Sequence, residues 1–222
     1  MDESPRGQAP AVRSNGPIPR LTVLTASDSS RLRNHRDVAL AAVAGGADSV
    51  QLRGPELSDR ELFPLAIELS AKCRESGVLL VVNDRVEVAI ACGAGGVHLG
   101  ARDRPEDVRR LLPSSMLLGI TVEAPNQVAW AEDLGASYIG VTVWATPTKP
   151  QARPSGIGGL RQVVDSTAIP VIGIGGIDAS NARSVLEAGA CGVAVVSAVS
   201  HAADMVAATR TLVSSVHGPR IV

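Results

Sequence analysis

The stretch Ala188-Gly189-Ala190-Cys191-Gly192-Val193-Ala194-Val195 passes from a helical pattern into a short apolar run, and the chain repeats this passage. Its Gly-Ala step recurs in Ala44-Gly45-Gly46-Ala47, Cys92-Gly93-Ala94 and Leu134-Gly135-Ala136. A glycine at this place ends a helix in the left-handed conformation, and a small alanine lets the chain turn up into a strand. The four copies therefore predict a repeated strand–helix architecture.

Around these steps, β-rich runs alternate with stretches of helical period from Leu21 onward. The predicted strands are Leu21–Ala26, Ser49–Arg53, Val78–Asn83, Gly96–Leu99, Leu117–Val122, Tyr138–Val143, Pro170–Gly175 and Gly192–Ser197. The predicted helices include Asp37–Ala44, Asp59–Ser76, Pro105–Leu112, Asn126–Leu134, Ser180–Glu187 and Ala203–Val216. Eight such units predict a single (β/α)8 TIM barrel over residues 21–222. The alternative with the same alternation is an open doubly wound sheet.

Composition narrows the class of protein. A chain of 222 residues suits one large domain, and with 2% aromatic residues the core must be built from Val, Ile, Leu and Ala, as in buried parallel strands. A net charge of −1 and so few aromatics argue against nucleic-acid partners. No apolar run reaches membrane-spanning length, so no membrane partner is expected.

The N-terminal segment and the cysteines bear on the cellular compartment in which the protein is expected. Residues 1–20 contain four prolines and no apolar stretch, which predicts a disordered arm and no secretory signal. Cys73, Cys92 and Cys191 are odd in number and lack a CxxC pair, which favours buried thiols in a reducing compartment. We therefore expect a cytoplasmic protein. The sequence does not decide between a monomer and a homo-oligomer.

Polar residues and glycines cluster just after the predicted strands, and in a barrel these positions share one mouth. They are Gln51, Arg53, Asn83, Asp84, His98, Asp103, Thr121, Thr146, Thr148, Lys149, Gly175, Gly176 and Ser197. His98 alternates with apolar neighbours, which favours an orienting or core histidine over a base. His35, His201 and His217 are expected at the surface.

The last two strands carry the strongest phosphate signal. Val171–Ile177 has the sequence V-I-G-I-G-G-I before a predicted helix, and a second strand ends near Val195-Val196-Ser197. Paired glycines expose backbone N–H groups, and a helix N-terminus adds partial positive charge. Loops after strands seven and eight are the usual phosphate site of this fold. The alternative is that Gly175-Gly176 forms only a tight turn.

Asp84 and Asp103 follow neighbouring strands three and four, without a cysteine or histidine partner at the same place. Such a pair suits a hard cation that prefers oxygen ligands, above all Mg²⁺, which binds phosphates while keeping several waters. The alternative for each aspartate is a helix N-cap. Lys149, in the stiff loop Thr146–Pro150, and Arg53 could share the charge of a diphosphate. An exposed proline-rich loop is the alternative there.

Six motifs then occur in order across nearly the whole chain after residue 20. They are V-Q-L-R (Val50–Arg53), V-N-D-R (Val82–Arg85), V-H-L-G-x-x-D (Val97–Asp103), T-P-T-K (Thr146–Lys149), G-I-G-G-I (Gly173–Ile177) and V-V-S-A (Val195–Ala198). Together they resemble the thiamine phosphate synthase family, also called thiamine phosphate pyrophosphorylase. The resemblance implies a transferase that joins 4-amino-5-hydroxymethyl-2-methylpyrimidine diphosphate to 4-methyl-5-(2-hydroxyethyl)thiazole phosphate.

The same resemblance assigns roles to the residues at the strand ends. It implies that the pyrimidine substrate and its diphosphate contact Gln51, Arg53, Asn83 and Lys149, with Arg53 and Lys149 neutralising the leaving group. Asp84 and Asp103 would hold Mg²⁺. The residues implied for the thiazole phosphate are Thr146, Thr148, Gly176, Val196 and Ser197, and Thr121 stands where the family has a serine that contacts substrate.

The chain also departs from the family pattern. Gly54-Pro55 replaces an acidic residue and a lysine, Ala101 replaces a glutamine, and Thr121-Val122-Glu123 replaces Ser-x-His. The Gly-Pro before the threonine loop is missing. Two alternatives follow: a thiazole tautomerase of the same fold, or a non-catalytic paralogue that binds thiamine precursors. Retention of Asn83-Asp84 and absence of the histidine after strand five favour the synthase.

Overall fold

Short runs of Val, Ile and Leu form eight parallel strands in the computed structural model, which describes residues 16–27, 33–100, 108–146 and 152–218. The strands are β1 (Leu21–Leu24), β2 (Ser49–Leu52), β3 (Leu79–Asn83), β4 (Gly96–Leu99), β5 (Leu117–Val122), β6 (Tyr138–Thr142), β7 (Val171–Ile174) and β8 (Gly192–Val195). Each pairs with the next in parallel, and β1 pairs with β8. The sheet closes, which confirms the predicted (β/α)8 barrel and excludes the open sheet.

Helices cover the outside of the barrel. They are α1 (His35–Gly45), α2 (Asp59–Glu75), α3 (Val86–Ala91), α4 (Val108–Leu111), α5 (Val128–Asp133), α6 (Gly156–Asp165), α7 (Ala182–Glu187), α8 (Ser197–Ser200) and α9 (Met205–His217). A single 3₁₀ turn, Pro125–Gln127, precedes α5. No helix in the described ranges is long and apolar enough to cross a membrane.

The predicted strands run up to two residues past the observed ones at several carboxyl ends, because those residues already belong to the loops of the mouth. Ser197, for example, begins α8 and does not end β8. Helix α6 had no counterpart among the predicted helices, since Gly156, Gly158 and Gly159 obscure its period. The start of the predicted helix Pro105–Leu112 lies outside the described residues, and so do residues 1–15 of the predicted arm.

The four Gly-Ala steps form the predicted turns. Gly46, Gly93, Gly135 and Gly189 have φ angles of 86°, 65°, 72° and 100°. After each glycine, the alanine N–H donates back into the last helical turn, as Ala47 does to the Ala42 carbonyl at 3.1 Å. This bond is the mark of a Schellman-type helix end. The same turn therefore precedes β2, β4, β6 and β8, and these four strands start at equivalent levels along the barrel axis.

Apolar side chains form two shells. The larger cluster fills the space between the sheet and the helices, with Val, Leu, Ile and Ala at nearly every position. The inner cluster consists of Leu24, Leu117, Tyr138, Ile172 and Ala194 inside the barrel. Cys73 and Cys92 are buried and Cys191 is half-buried, as predicted for thiols. Burial raises the pKa of Cys73 and Cys191 to about 11, so neither is a reactive thiolate at neutral pH.

The amino end of the barrel is tied together by one carboxylate. Oδ2 of Asp48 accepts the N–H groups of Arg20 (3.1 Å) and Leu21 (2.8 Å). Nε2 of His217, the last residue of α9, lies 2.8 Å from the same oxygen. This contact fixes the start of the first strand against the end of the last helix. It lies on the face opposite the mouth.

Candidate active site

A cavity of about 270 Å³ opens at the carboxyl ends of the strands. Alternate residues of each strand point into it, as the two-residue period of a strand requires. The residues from the strands and their ends are Thr22, Leu24, Gln51, Arg53, Asn83, His98, Thr121, Tyr138, Gly140, Thr142, Ile172, Ile174, Ala194 and Val196. Val195, the last residue of β8, also lines the cavity, and the loops add Asp84, Gly100, Glu123, Thr146, Ala152, Arg153, Gly175, Gly176, Ile177 and Ser197. The cavity walls are mostly polar near the mouth, and deeper in the barrel Leu24, Ile172 and Ala194 make them apolar.

The end of β2 brings two of the predicted residues into the cavity. Gln51 is buried, and its carbonyl accepts the N–H of Thr25 at 2.9 Å. The N–H of Arg53 donates to the Thr25 hydroxyl at 3.0 Å. These two bonds hold the backbone at Arg53 against Thr25, the residue that follows β1.

Asp84 has a φ of 61°, and it is the one non-glycine residue with positive φ among those described. Its N–H donates to the His98 carbonyl at 2.9 Å, which joins the ends of β3 and β4. The Asn83 amide donates to its carboxylate. Helix α3 takes Arg85 as its N-cap residue, so the helix-cap alternative does not account for Asp84. The unusual backbone conformation is maintained at a position that lines the cavity.

His98 spans the interior between two hydroxyls. Its Nδ1 lies 3.1 Å from the Tyr138 hydroxyl, and its Nε2 lies 2.9 Å from Oγ1 of Thr121. Full burial raises the pKa of Tyr138, so the phenol stays neutral. This arrangement agrees with the expected orienting role of His98, because it fixes the Thr121 hydroxyl at the cavity wall.

Gly175 and Gly176 follow β7 with φ angles of 93° and 64°. A Cβ on Gly175 would lie 2.6 Å from the Trp144 carbonyl oxygen, and one on Gly176 would lie 2.9 Å from Cβ of Trp144. Only glycine satisfies both the conformation and the contact. The turn is therefore tight, and it also lines the cavity. Val196 and Ser197, at the start of α8, line the same part of the mouth.

Two charged residues at the mouth were not among the predicted site residues. Glu123, expected only as a replaced histidine, lines the cavity. Arg153 also lines it, and the chain behind it is anchored because Ser155 N–H donates to the Thr142 carbonyl at 2.8 Å. Arg153 is exposed, and no acidic partner contacts it within the described part of the chain. No motif in the sequence marks Arg153 as a site residue, because it lies far along the loop after β6.

Another expectation about a side chain needs correction. His35 is not at the surface but 3% exposed, because Thr25 Oγ1 (2.9 Å) and Glu56 Oε1 (2.7 Å) meet its two ring nitrogens. Arg85, the basic residue of the V-N-D-R motif, points away from the mouth and so does not replace the cation missing at Pro55. Its Nε pairs with Asp59 at 3.0 Å on the outer surface.

Three predicted site residues, Asp103, Thr148 and Lys149, lie outside the described residues. The remaining predicted residues all line one cavity: Gln51, Arg53, Asn83, Asp84, Thr121, Thr146, Gly176, Val196 and Ser197. Within the ranges that the structure describes, no three His, Cys, Asp or Glu side chains are grouped closely enough to bind a metal ion by themselves.

Comparison with known proteins gives consistent results. Residues 21–199 match the family model for thiamine monophosphate synthase. Thiamine-phosphate synthase of Chloroflexus aurantiacus is 46% identical over 87% of this chain and 90% of its own length. The enzyme of the same name from Albidiferax ferrireducens is 46% identical over 83% of this chain and 86% of its own.

Solved structures match the chain in fold, and one of them also matches it in sequence. Thiamine phosphate pyrophosphorylase from Pyrococcus furiosus superposes with a TM-score of 0.80 at 38% identity, covering 89% of this chain and 95% of that one. A 3-hexulose-6-phosphate synthase superposes with a TM-score of 0.67 at 20% identity, covering 89% and 99% of the two chains. At that identity the second match shows the shared barrel alone.

Proposed function

Since the chain belongs to the thiamine monophosphate synthase family, we propose that it joins 4-amino-5-hydroxymethyl-2-methylpyrimidine diphosphate to 4-methyl-5-(2-hydroxyethyl)thiazole phosphate, releasing diphosphate. The observation that supports this best is the convergence of Arg53, Asp84, Gly176 and Ser197 on one cavity from four different strand ends. A transferase for two phosphorylated substrates needs such separate anchoring points in one site.

In the proposed complex, the two phosphate groups occupy different sides of the mouth. Gly176, Val196 and Ser197 would bind the thiazole phosphate through the loops after β7 and β8, with Thr146 and Thr148. Gln51 and Asn83 would contact the pyrimidine. Arg53 and Lys149 would hold the diphosphate, and Arg153 adds a third positive charge at the cavity wall.

The donor set at Asn83-Asp84 fits a Mg²⁺ ion, because it offers a carboxylate and an amide oxygen at the mouth and no soft ligand. Asp84 and Asp103 would hold the ion. When bound, it would supply positive charge to the departing diphosphate. Few protein ligands suffice, since Mg²⁺ commonly retains waters and binds substrate phosphates.

The reaction would be a dissociative substitution. The bond between the pyrimidine methylene carbon and the diphosphate oxygen breaks first, and the electron-rich pyrimidine carries the resulting positive charge. The thiazole nitrogen then donates its electron pair to that carbon. Arg53 and Lys149 stabilise the negative charge that develops on the leaving oxygen, and the protein holds the two rings in order.

The direct test is to mix the purified protein with Mg²⁺ and both substrates and to measure thiamine phosphate by chromatography. We expect product that depends on both substrates and on Mg²⁺. Asp84→Asn should reduce Mg²⁺-dependent turnover by on the order of a hundredfold, since a ligand charge is lost while the shape is kept. Turnover at the parent level in this variant would refute the metal assignment.

The same assay separates the alternatives. A non-catalytic paralogue would bind both substrates and yield no product at high protein concentration. A thiazole tautomerase would isomerise a thiazole carboxylate phosphate without the pyrimidine substrate. Retention of Asn83-Asp84 in the cavity and a glutamate at position 123 favour the synthase over the tautomerase.

A further inference from the structure

A buried histidine and a carboxylate lie directly behind the Arg53 backbone. His35, the first residue of α1, is 3% exposed. Its Nδ1 lies 2.9 Å from Oγ1 of Thr25, and its Nε2 lies 2.7 Å from Oε1 of Glu56. Thr25 Oγ1 in turn accepts the Arg53 N–H at 3.0 Å. A continuous chain of hydrogen bonds therefore runs from Glu56 to the Arg53 backbone.

The ionised carboxylate of Glu56 sets the direction of its hydrogen bond with His35. Burial raises the pKa of its carboxyl, but hydrogen bonds from Ser27, its own backbone and His35 outweigh this and lower the pKa to about 2. An ionised carboxylate can only accept, so His35 Nε2 carries a proton. The other ring nitrogen, Nδ1, contacts the Thr25 hydroxyl, whose oxygen accepts the Arg53 N–H. The Thr25 hydroxyl also donates to the Arg53 carbonyl at 3.4 Å, so Thr25 contacts both backbone polar groups of Arg53.

The loop sequence is matched to this network. A Cβ on Gly54 would lie 2.8 Å from Cδ1 of Leu57 and 3.3 Å from Nε2 of His35. A side chain at residue 54 would therefore press on the histidine and on the loop that carries Glu56. Ser27 also donates to Glu56 at 2.6 Å. The departure from the family pattern at Gly54 thus makes room for the His35–Glu56 contact.

We propose that Glu56, through His35 and Thr25, is a positioning residue that holds Arg53 in the orientation needed to bind the diphosphate of the pyrimidine substrate. This rests on the proposed function. The network comprises the residue after β1, the start of α1 and the loop after β2, and it lies away from Gly176 and Ser197. It should therefore act on one substrate and leave the other unaffected.

Four variants and a control test the role. Glu56→Ala removes the acceptor, whereas Glu56→Gln retains a carbonyl oxygen. Thr25→Val removes the hydroxyl, whereas Thr25→Ser retains it. Glu68→Ala is the matched control, because Glu68 on α2 likewise bonds to a residue of α1, Arg36 at 2.6 Å, but takes no part in the network that leads to Arg53.

We expect Glu56→Ala and Thr25→Val to raise KM for the pyrimidine diphosphate roughly tenfold, since small misplacements of a binding group are costly. KM for the thiazole phosphate should stay within about twofold, and the Gln and Ser variants should lie near the parent. Equal rises in both KM values, or an effect no larger than that of Glu68→Ala, would overturn the positioning role.

A binding measurement separates this proposal from the proposed function. Titration with inorganic diphosphate and Mg²⁺ by calorimetry requires no turnover. If the parent protein forms no thiamine phosphate, the synthase assignment fails, yet weaker diphosphate binding by Glu56→Ala and normal binding by Glu56→Gln would still support the network. Equal diphosphate affinity in all variants would refute it even in an active enzyme.

Discussion

Asp84 combines a charged side chain with a backbone conformation that is costly for most residues. Its φ of 61° is supported by the bond from its N–H to the His98 carbonyl and by the amide of Asn83. Asp and Asn tolerate this region better than other non-glycine residues, at a cost of about 1–2 kcal/mol for a residue such as alanine. The local geometry therefore selects a short polar side chain at the mouth.

This strain can be measured apart from catalysis. We expect Asp84→Gly to be at least as stable as the parent, and Asp84→Ala to lose about 1 kcal/mol in the free energy of unfolding relative to Asp84→Gly. Urea denaturation followed by circular dichroism measures the difference. Identical midpoints for the two variants would show that the conformation carries no strain.

Arg153 lines the cavity, and we propose that it supplies the positive charge that the chain lacks at Pro55. Arg153→Ala should raise KM for the pyrimidine diphosphate several-fold, because a charge-assisted contact worth about 1 kcal/mol or more is lost. Arg161→Ala, an exposed arginine on α6 outside the cavity, is the control.

Adding a lysine provides a second arm to this prediction. Pro55→Lys in the Arg153→Ala background should restore part of the affinity, since the family carries a lysine there. Steady-state kinetics at fixed ionic strength measures both effects. An Arg153→Ala enzyme that behaves like Arg161→Ala would remove Arg153 from the site.

At the residue scale, the motifs predicted that Gln51, Arg53, Asn83 and Asp84 share one site, and all four line one cavity. Each lies at the end of a strand that is easily recognised in the sequence. Arg153 was missed because its position depends on how a long loop returns to β6. His35 was misplaced for a similar reason. Its burial depends on two partners, Thr25 and Glu56, which no local pattern links to it.

Glycines in the strands and helices differ in how much space surrounds them. On β5, a Cβ on Gly119 would overlap the rings of Tyr138 and His98 inside the barrel. On α6, a Cβ on Gly158 would meet nothing within 4 Å. The packing inside the barrel therefore requires a glycine at position 119 but not at position 158, although the sequence does not distinguish the two.

Replacing each by alanine should give opposite results. Gly119→Ala should destabilise the protein by about 1–3 kcal/mol or more, since it overpacks the inner cluster. Gly158→Ala should stabilise it by about 0.5–1 kcal/mol, because alanine favours the helix. Thermal unfolding compares them, and a neutral Gly119→Ala would contradict the described packing around Tyr138.

Element order was predictable because one turn, Gly-Ala, repeats with the same backbone geometry at four helix ends. Element ends were harder to predict. Ser197 follows the apolar run of β8 and was therefore predicted to end that strand, but it begins the short helix α8, which packs against α9 and α1. Helix α6 was missed for a different reason, because Gly156, Gly158 and Gly159 obscure its helical period.

At the scale of the whole molecule, stability and binding are separated between the two faces of the barrel. The Asp48 carboxylate ties Arg20, Leu21 and His217 together at the amino face, whereas the substrates are proposed to bind at the carboxyl face. Closure itself was predictable only by counting eight units, because an open sheet has the same local pattern.

Asp48→Ala should therefore lower the free energy of unfolding by about 1–3 kcal/mol, since two backbone N–H groups lose their acceptor. The kinetic constants should not change. Asp48→Asn, which keeps one carbonyl oxygen, should lose less stability. Denaturant titration and steady-state assays measure the two properties, and a large change in kcat in Asp48→Ala would show that the faces are coupled.

The contact of Trp144 with the Gly175-Gly176 turn makes the protein its own optical probe. The chain has two tryptophans, and the other, Trp130, lies on α5 away from the cavity. Trp130→Phe would leave a single indole beside the proposed phosphate site, and its emission should shift when thiazole phosphate binds but not when inorganic diphosphate binds alone. Fluorescence titration would then follow the order in which the two substrates enter, without labels and before any turnover.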